Sequence, residues 1–477
     1  MAGPASPLLI RNADIHGFGL GDLRVAGGQI SKLGRDVQPQ PADRIIDAHG
    51  GALLPGLHDH HIHLAGLAVR GQSVWCGPPD VGNAAQLAAR LSQKGTGWIR
   101  AIGYHESVLG DLPDAAALDR IVPDRPLRMQ HRSGRMWLLN SAALDLLLAS
   151  AKPPPGMERT GKKFTGRLFD QDVWLRGALG SAPPDFGAIS KELSAFGITG
   201  ITDMTPQNGP QMAGHFSEQK ASGALMQKAT LAGTLALAQA EQDGWMLGPL
   251  KLHLHEAQLP DFAETTALIE AARTQSRKIA IHCVTEVELV FALAVLEAAG
   301  IAPGDRIEHA SVTPLPLLER IADAGLAVCV QPHFLAERGD RYLADVEPHL
   351  HDDLYRLQAF VDAGIALSGG SDAPFAQPDP WRAMHAAMSR TTAAGQAINP
   401  AEAVTPETAL ALFLADPGNF NSQSRAATGE TADLCLLSRP WKQVRQNLPS
   451  AQVVATIASG RIIHDRLDQA PVQCVPR

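Results

Sequence analysis

The chain has 477 residues, of which 45% are hydrophobic and 19% charged, with a formal net charge of -8. This composition excludes an intrinsically disordered chain. There is no long run of one charge sign, which argues against a nucleic-acid groove or a basic membrane patch. Five scattered cysteines without a Cys-x-x-Cys spacing argue against a disulfide framework. Without a signal-peptide pattern or an 18-residue apolar run, we expect a soluble, cytoplasmic protein.

The first 55 residues alternate short apolar segments with turn signals, as in LLIRNADIHG and LRVAGGQISKLG. This pattern predicts short β-strands. The same texture returns near the other end, in ADLCLLSRP and AQVVATIASG. We therefore expect residues 1–55 and 425–477 to complete one small β-sandwich around an inserted domain.

Between these segments, over residues 56–424, short apolar runs are followed by helical periodicity, as in KIAIHCV and then TEVELVFALAVLEAAG. Repeated β-α alternation over such a length favours an α/β fold with a parallel sheet closed into a (β/α)8 barrel. The segment SAKPPPGMERTGKKFTG is expected to be a loop over the barrel mouth or an excursion beside it. Barrel enzymes carry their chemistry at the carboxyl ends of the strands, so polar residues at those ends are the functional candidates.

The first candidates are His61 and His63 in LLPGLHDHHIHL. Residues two apart in a strand face the same way, so both imidazoles can bind one metal through nitrogen. The alternative is a polar strand end with satisfied histidines. The candidate ligands at later strand ends favour the metal.

Three later strand ends carry further candidates. His282 closes KIAIHC, His309 closes DRIEH, and Asp372 follows two glycines in ALSGGSD. Each histidine alone could be structural, and Asp372 could be an Asx-turn or a helix cap. An acid at this position could also act as a metal-linked general base.

The order His-x-His, His, His, Asp, with the phrases GITGITD, GDRIEHA, VCVQPHF and GSDAPF, resembles the amidohydrolase superfamily. The chain is most similar to its amidohydrolase family 3 branch, which includes YtcJ-like proteins and N-substituted formamide deformylases, from about residue 8 to about residue 465. The resemblance implies a metal-dependent hydrolase TIM barrel. It implies metal ligands at His61, His63, His282, His309 and Asp372, on the first, fifth, sixth and eighth strands.

The number of metals depends on the fourth strand, in GPLKLHLHEAQL. The resemblance implies that Lys251 is carboxylated and bridges two metals; the alternative is an ordinary lysine. His253 and His255 share the side of Lys251 and give the strand a second way to reach the metal. The family usually has an acidic residue at the position of His255. We therefore expect one or two divalent metals per chain, with zinc the natural choice and iron, manganese and nickel fitting similar sites.

Four residues are candidates for substrate binding. Relatives commonly have Asp-Gly-His at positions 133–135, and the third of these positions is Arg135 in this chain. Its guanidinium suits a carboxylate or a polarised carbonyl. Its alternative is a surface salt bridge. His105 in IGYHES, His255 and His333 in QPHF are the other candidates.

The predicted function is hydrolysis of an amide-type, non-peptide C-N bond in a small molecule. A metal-activated hydroxide would be the nucleophile, and Asp372 would accept its proton and return it to the leaving amine. A mononuclear deaminase, an esterase or lactonase, and a non-catalytic binding protein are the alternatives. We expect neither a nucleic-acid nor a membrane partner, and the sequence leaves a homodimer open.

Overall fold

The computed structural model describes residues 6–71, 73–78, 80–92, 95–180 and 183–467. Residues 1–5 and 468–477, which include Cys474 and the outer ends of the predicted β domain, lie outside these ranges. The chain divides into two compact units, one made of residues 1–64 with 185–477 and the other of residues 65–184.

The larger unit contains a parallel sheet of eight strands, which are numbered here in chain order. Each strand pairs in parallel with the next one along the chain. The strands are β1 Leu57–Ile62, β2 Ile198–Asp203, β3 Lys228–Gly233, β4 Met246–His253, β5 Ile279–Cys283, β6 Arg306–His309, β7 Ala327–Val330 and β8 Leu367–Gly369.

The sheet nearly closes on itself between β8 and β1. Just beyond β8, Ala373 bridges Ile62, and its carbonyl accepts a hydrogen bond of 2.8 Å from the His63 amide. The Asp372 amide donates to the His61 carbonyl at 2.6 Å. The predicted barrel is therefore confirmed, and its closure brings the end of β8 beside the end of β1.

Helices connect most of the strands. The helix at 315–323 buries Leu317, Leu318 and Ile321, which follow helical spacing along one face. The helix after β5 begins at a capping box between Thr285 and Glu288. The helices of this unit are Gly187–Ala195, Pro210–Ala221, Phe262–Thr274, Glu286–Ala299, Leu315–Asp323, His333–Asp345, Leu357–Asp362, Pro380–Ser389, Pro406–Leu414 and Trp441–Val444.

Both ends of the chain form a second sheet in this unit. Alternating apolar residues from both ends, such as Ile10, Leu23, Leu434 and Ile457, share one buried core. The prediction of a small β domain built from both termini is thus confirmed. Its described strands are hydrogen-bonded into a single mixed sheet, where the sequence predicts a β-sandwich, and the bounds 1–55 and 425–477 stay predictions. These strands are Leu8–Ile15, Gly19–Ala26, Gln29–Gly34, Arg44–Asp47, Ala52–Pro55, Leu434–Leu437, Val453–Ala458 and Arg461–Asp465.

Residues 65–184 form the other unit, although the sequence reading assigned all of 56–424 to the barrel. Six strands among its described residues make one sheet, and the segment expected to be a loop over the barrel mouth or an excursion beside it contributes an antiparallel strand pair to this sheet. The strands are Val74–Trp75, Ile99–Tyr104, Leu127–His131, Met136–Leu139, Met157–Thr160 and Lys163–Phe169. The helices are Ala84–Leu91, Ala115–Asp119, Ser141–Ser150 and Asp172–Leu179, and Leu64–Gly71 leads into the unit.

No helix in the described part of the chain combines the length and the apolar character needed to cross a bilayer.

Candidate metal centre

Side chains from three barrel strands converge at the carboxyl edge of the sheet. His61 of β1, His309 at the end of β6 and Asp372 just after β8 each offer one ligand atom, and these atoms lie within 4.8 Å of one another. All three residues are buried. Parallel strands bring their carboxyl ends to one edge, which is why residues far apart in sequence meet here.

His63 extends this cluster towards the surface. Its Nε2 lies 3.0 Å from Asp372 Oδ1, and His61 Nε2 lies 3.3 Å from the same oxygen. The other ring nitrogen of His63 is 3.1 Å from Thr205 Oγ1. Two imidazole nitrogens therefore face one carboxylate oxygen, and the His63 side chain keeps an exposed fraction of 18%.

The outward ring nitrogens of the two buried histidines are held by side-chain oxygens. His61 Nδ1 is 2.6 Å from Glu308 Oε2, and His309 Nδ1 is 2.6 Å from Gln331 Oε1. Because both partners are acceptors, each Nδ1 carries the proton and each Nε2 keeps a free lone pair. This tautomer is the one that a histidine needs to bind a metal through Nε2.

His282 of β5 joins the cluster through ring contacts. Its ring centroid lies 4.5 Å from that of His309, with the planes at 73°. On its other side the ring of His253 stacks on it at 4.1 Å and 15°. His253 of β4 therefore packs against a candidate ligand.

Lys251 of β4 is also buried, with an exposed fraction of 4%. Its Nζ has no hydrogen-bond partner among the described residues. Burial is the main reason that the pKa of this amine is lowered, while Glu308 and Asp372 oppose the shift. A buried amine without a partner is costly. A group that contacts or modifies the Lys251 amine would therefore be favourable in this site.

The electrostatics of the centre favour neutral imidazoles and an ionised acid. Burial lowers the pKa of His309 to about 3, and it also lowers the pKa of His61 and His282. Burial alone would raise the pKa of Asp372, but the neighbouring histidines hold it below its ordinary value. Neutral nitrogen donors with one carboxylate are the donor set of a divalent metal, so these residues fit one.

Two buried acids that the sequence did not reveal as functional support the cluster. Asp59 Oδ1 accepts hydrogen bonds from the Ser371 amide at 2.9 Å and the His61 amide at 3.1 Å. It thereby ties the ends of β1 and β8 together. Its position two residues before His61 is the one signal that the sequence offered.

Glu308 is the second such acid. It directly precedes His309, and neighbours in a regular strand point to opposite faces. His309, however, has a φ of 73°, so the regular alternation stops at the strand end. The side chains of Glu308 and His309 consequently both reach His61, one by a hydrogen bond and the other by a ring contact of 4.8 Å.

The sequence profile of the amidohydrolase family matches residues 44–464. The chain belongs to the amidohydrolase family. The resemblance inferred from the sequence is thus confirmed. As an amidohydrolase, the protein is a metal-dependent hydrolase of carbon-nitrogen bonds in small molecules, and it uses a divalent metal.

Two relatives match this amidohydrolase over most of their length. The N-substituted formamide deformylase of Arthrobacter pascens is 25% identical, over 96% of this chain and 97% of that protein. The putative amidohydrolase YtcJ of Bacillus subtilis (strain 168) is 23% identical, over 89% of this chain and 91% of that protein. The crystal structure of an uncharacterized metal-dependent hydrolase from Pyrococcus horikoshii shares the fold, with a TM-score of 0.77 and 20% identity over 91% of this chain and 98% of that chain.

Two candidates for substrate binding in the amidohydrolase lie on the barrel. His333 begins a helix, is buried, and lies with Nε2 2.8 Å from the Ser371 carbonyl oxygen, to which it can donate. In this position it supports the backbone next to Asp372. His255 lies beyond the end of β4, is exposed, and makes no side-chain cap.

The other two candidates lie in the unit formed by residues 65–184. Arg135 is exposed and forms two hydrogen bonds with Asp170, at 2.8 and 2.6 Å. This ion pair is the alternative that the sequence left open for it. His105 caps a short 3-10 turn, because its Nδ1 accepts from the Ser107 amide at 3.1 Å. The roles of both in substrate binding stay predictions.

Proposed function

We propose that this amidohydrolase cleaves an amide-type, non-peptide C-N bond of a small molecule at the centre formed by His61, His63, His282, His309 and Asp372. The main support is the convergence of three ligand atoms within 4.8 Å, with the histidine lone pairs turned inwards. The similarity to an N-substituted formamide deformylase favours an amide as the bond that is cleaved.

The proposal includes zinc as the metal, because imidazole nitrogens dominate the donor set. A divalent metal bound here would polarise a carbonyl as a Lewis acid and would lower the pKa of a bound water to about 7. His61, His63, His282 and His309 would hold it through nitrogen. Asp372 would hold it through its carboxylate.

Lys251 is proposed to be carboxylated and to bridge two metals. Carboxylation would turn a buried cation without a partner into an anion that can bind metal through oxygen. The unpartnered Nζ, which interacts electrostatically with Glu308 and Asp372, supports this assignment. An unmodified Lys251 would correspond to the mononuclear alternative.

Asp372 is the proposed proton carrier of the reaction. Its carboxylate lies beside His63, whose side chain is 18% exposed, and a substrate and its attacking water would approach from that side. An ionised carboxylate can accept the proton of that water and return it to the leaving amine. The products would be a carboxylic acid and an amine. Arg135, His105, His255 and His333 remain the candidates for substrate contact.

The deciding experiment combines metal analysis with an assay. Metal per chain would be measured on protein purified without chelator, together with release of formate and amine from N-substituted formamides. The test variant is the double substitution His61→Ala and His63→Ala. Its matched control replaces two exposed histidines of the same unit, His49→Ala and His349→Ala.

Close to two metals per chain, lost in the test variant and kept in the control, would support a binuclear centre. Close to one would favour the mononuclear alternative with an unmodified Lys251. A native protein without metal would contradict the proposed site. Light scattering coupled to gel filtration would test the homodimer that the sequence leaves open.

A further inference from the structure

Glu308 of β6 is fully buried and uses both carboxylate oxygens. Oε2 lies 2.6 Å from His61 Nδ1, and Oε1 lies 2.5 Å from Arg306 Nε. The two contacts share one carboxylate, so the position of His61 is linked to that of Arg306. Neither Glu308 nor Arg306 is among the metal ligands proposed above.

Arg306 is itself held on several sides. It is buried, its Nη2 donates to the His60 carbonyl at 3.3 Å, and its guanidinium lies 5.0 Å from the ring centroid of Phe420. Arg306 and Glu308 are two residues apart on one strand, so they point to the same side of the sheet. The guanidinium is thus a fixed partner for the carboxylate.

Stability alone does not account for this pair. Removing two charges from water is expensive, and well-packed apolar residues of similar volume often stabilise a protein equally well. What apolar residues could not provide is an acceptor for His61 Nδ1. A carboxylate at that nitrogen fixes the tautomer and the ring orientation of a metal-binding histidine.

The other buried ligand provides an internal comparison. His309 Nδ1 is held by the neutral amide oxygen of Gln331, whereas His61 Nδ1 is held by a carboxylate that Arg306 keeps in place. Hydrogen bonds to charged groups are stronger than those to neutral groups. The two ligands therefore have supports of different strength.

We propose that Glu308, held by Arg306, is a positioning residue that fixes the Nδ1 proton of His61 and turns its Nε2 towards the metal. This inference rests on the proposed function, because it assumes that His61 is a ligand. Arg306, Glu308 and His61 thus form a hydrogen-bonded series that supports the affinity of the centre.

The substitution Glu308→Gln tests this series at nearly constant volume. A glutamine offers one acceptor and one donor group, so it can satisfy either His61 or Arg306 but cannot satisfy both. We expect zinc affinity, measured by competition with a chromogenic chelator, to fall about 10- to 100-fold. In the cobalt-loaded protein, the visible absorption bands should shift because the ligand geometry changes.

The matched control is Glu297→Gln. Glu297 is half-exposed and forms an ion pair with Arg320 at 2.7 Å. The two residues are a glutamate-arginine pair remote from the cluster. This control should retain wild-type zinc affinity and an unchanged cobalt spectrum. His61→Ala in the same assay separates the two hypotheses. If His61→Ala also binds zinc with wild-type affinity, the proposed metal site fails, whatever Glu308 does.

A Glu308→Gln protein with wild-type affinity and spectrum, beside a weakened His61→Ala, would overturn the positioning role. Should Glu308→Gln fail to fold, Arg306→Lys decides instead. It keeps the positive charge but loses the fixed Nε donor. Weaker zinc binding with an unaltered melting temperature would support the proposed link from Arg306 through Glu308 to His61. Unchanged zinc binding would refute this link.

Discussion

The first barrel strand carries two pairs of histidines that face opposite ways. His61 and His63 meet Asp372 at the carboxyl edge. His58 and His60 point to the other side, where His58 Nε2 lies 2.9 Å from Thr202 Oγ1 and the His60 ring lies edge-on to Phe420. The alternation of a strand separates the two pairs.

Burial does not distinguish the pairs. His58, His60 and His61 are all buried, and burial lowers the pKa of each. Among the described residues of this strand region, only His61 and His63, the outer pair, have an acid, Asp372, facing their Nε2 atoms. A candidate metal site in this strand is therefore recognised by converging ligand atoms rather than by burial or by a shifted pKa.

The largest effect is expected from the acid that the outer pair shares. Asp372→Asn keeps the volume but removes the charge and the proton acceptor. We expect kcat to fall by about 10²- to 10⁴-fold. Steady-state kinetics at measured metal content would show this, with the exposed Asp362→Asn as control. A kcat within twofold of the wild type would rule out Asp372 as the proton carrier.

The next effect concerns Lys251. Lys251→Met removes the amine while keeping an unbranched side chain, so a carboxylated bridge can no longer form. We expect metal content to drop from about two per chain to one or fewer, with the exposed Lys32→Met unchanged. Reloading apoprotein in carbonate-free buffer should lower metal uptake as well. Equal uptake with and without bicarbonate would favour an unmodified lysine.

The sequence could locate the clustered residues because of simple geometry. Strand period placed His61 and His63 together, and parallel strand ends placed His282, His309 and Asp372 near them. The same rules missed the supporting contacts. Asp59 meets the Ser371 amide across 312 positions of sequence, and nothing local announces such a pairing.

Glu308 was missed for a different reason. Regular strand alternation would place Glu308 on the face opposite to His309, and the positive φ of His309 ends that alternation. The sequence did not reveal the unit at 65–184 because its strands and helices continue the β-α alternation of the barrel without a change in composition. Local pattern thus predicts the strand ends and fails where long-range pairing or an insertion decides the structure.

His58 and His60, the inner pair, should contribute to a smaller, pH-dependent effect on stability, as should the other buried histidines. The ordinary histidine pKa is 6.5, and burial, with Arg306 and Lys228, lowers that of His58 to about 3. Between these values the unfolded chain binds a proton that the folded chain does not, so the free energy of unfolding falls as pH falls from 6.5 towards 3. Each such histidine contributes about 1.4 kcal/mol per pH unit.

His58→Gln in chelator-treated protein should reduce that slope by about 1.4 kcal/mol per pH unit. Urea unfolding at pH 5.5, 5 and 4.5, well below the unfolded pKa, would measure it. The exposed His349→Gln is the control and should leave the slope unaltered. An unchanged slope in His58→Gln would mean that the buried His58 takes up its proton without unfolding.

The smallest effect is expected at Arg135, which is exposed and paired with Asp170. If its guanidinium binds the substrate, Arg135→Ala should raise KM roughly 10-fold, the value of about one charged hydrogen bond, while kcat and the melting temperature stay constant. Asp170→Asn removes the ion pair but keeps the guanidinium, so it should leave KM close to that of the wild type. Equal KM values for the wild type, Arg135→Ala and Asp170→Asn would mean that Arg135 forms only a surface ion pair. Recognition of the substrate would then depend on the barrel residues.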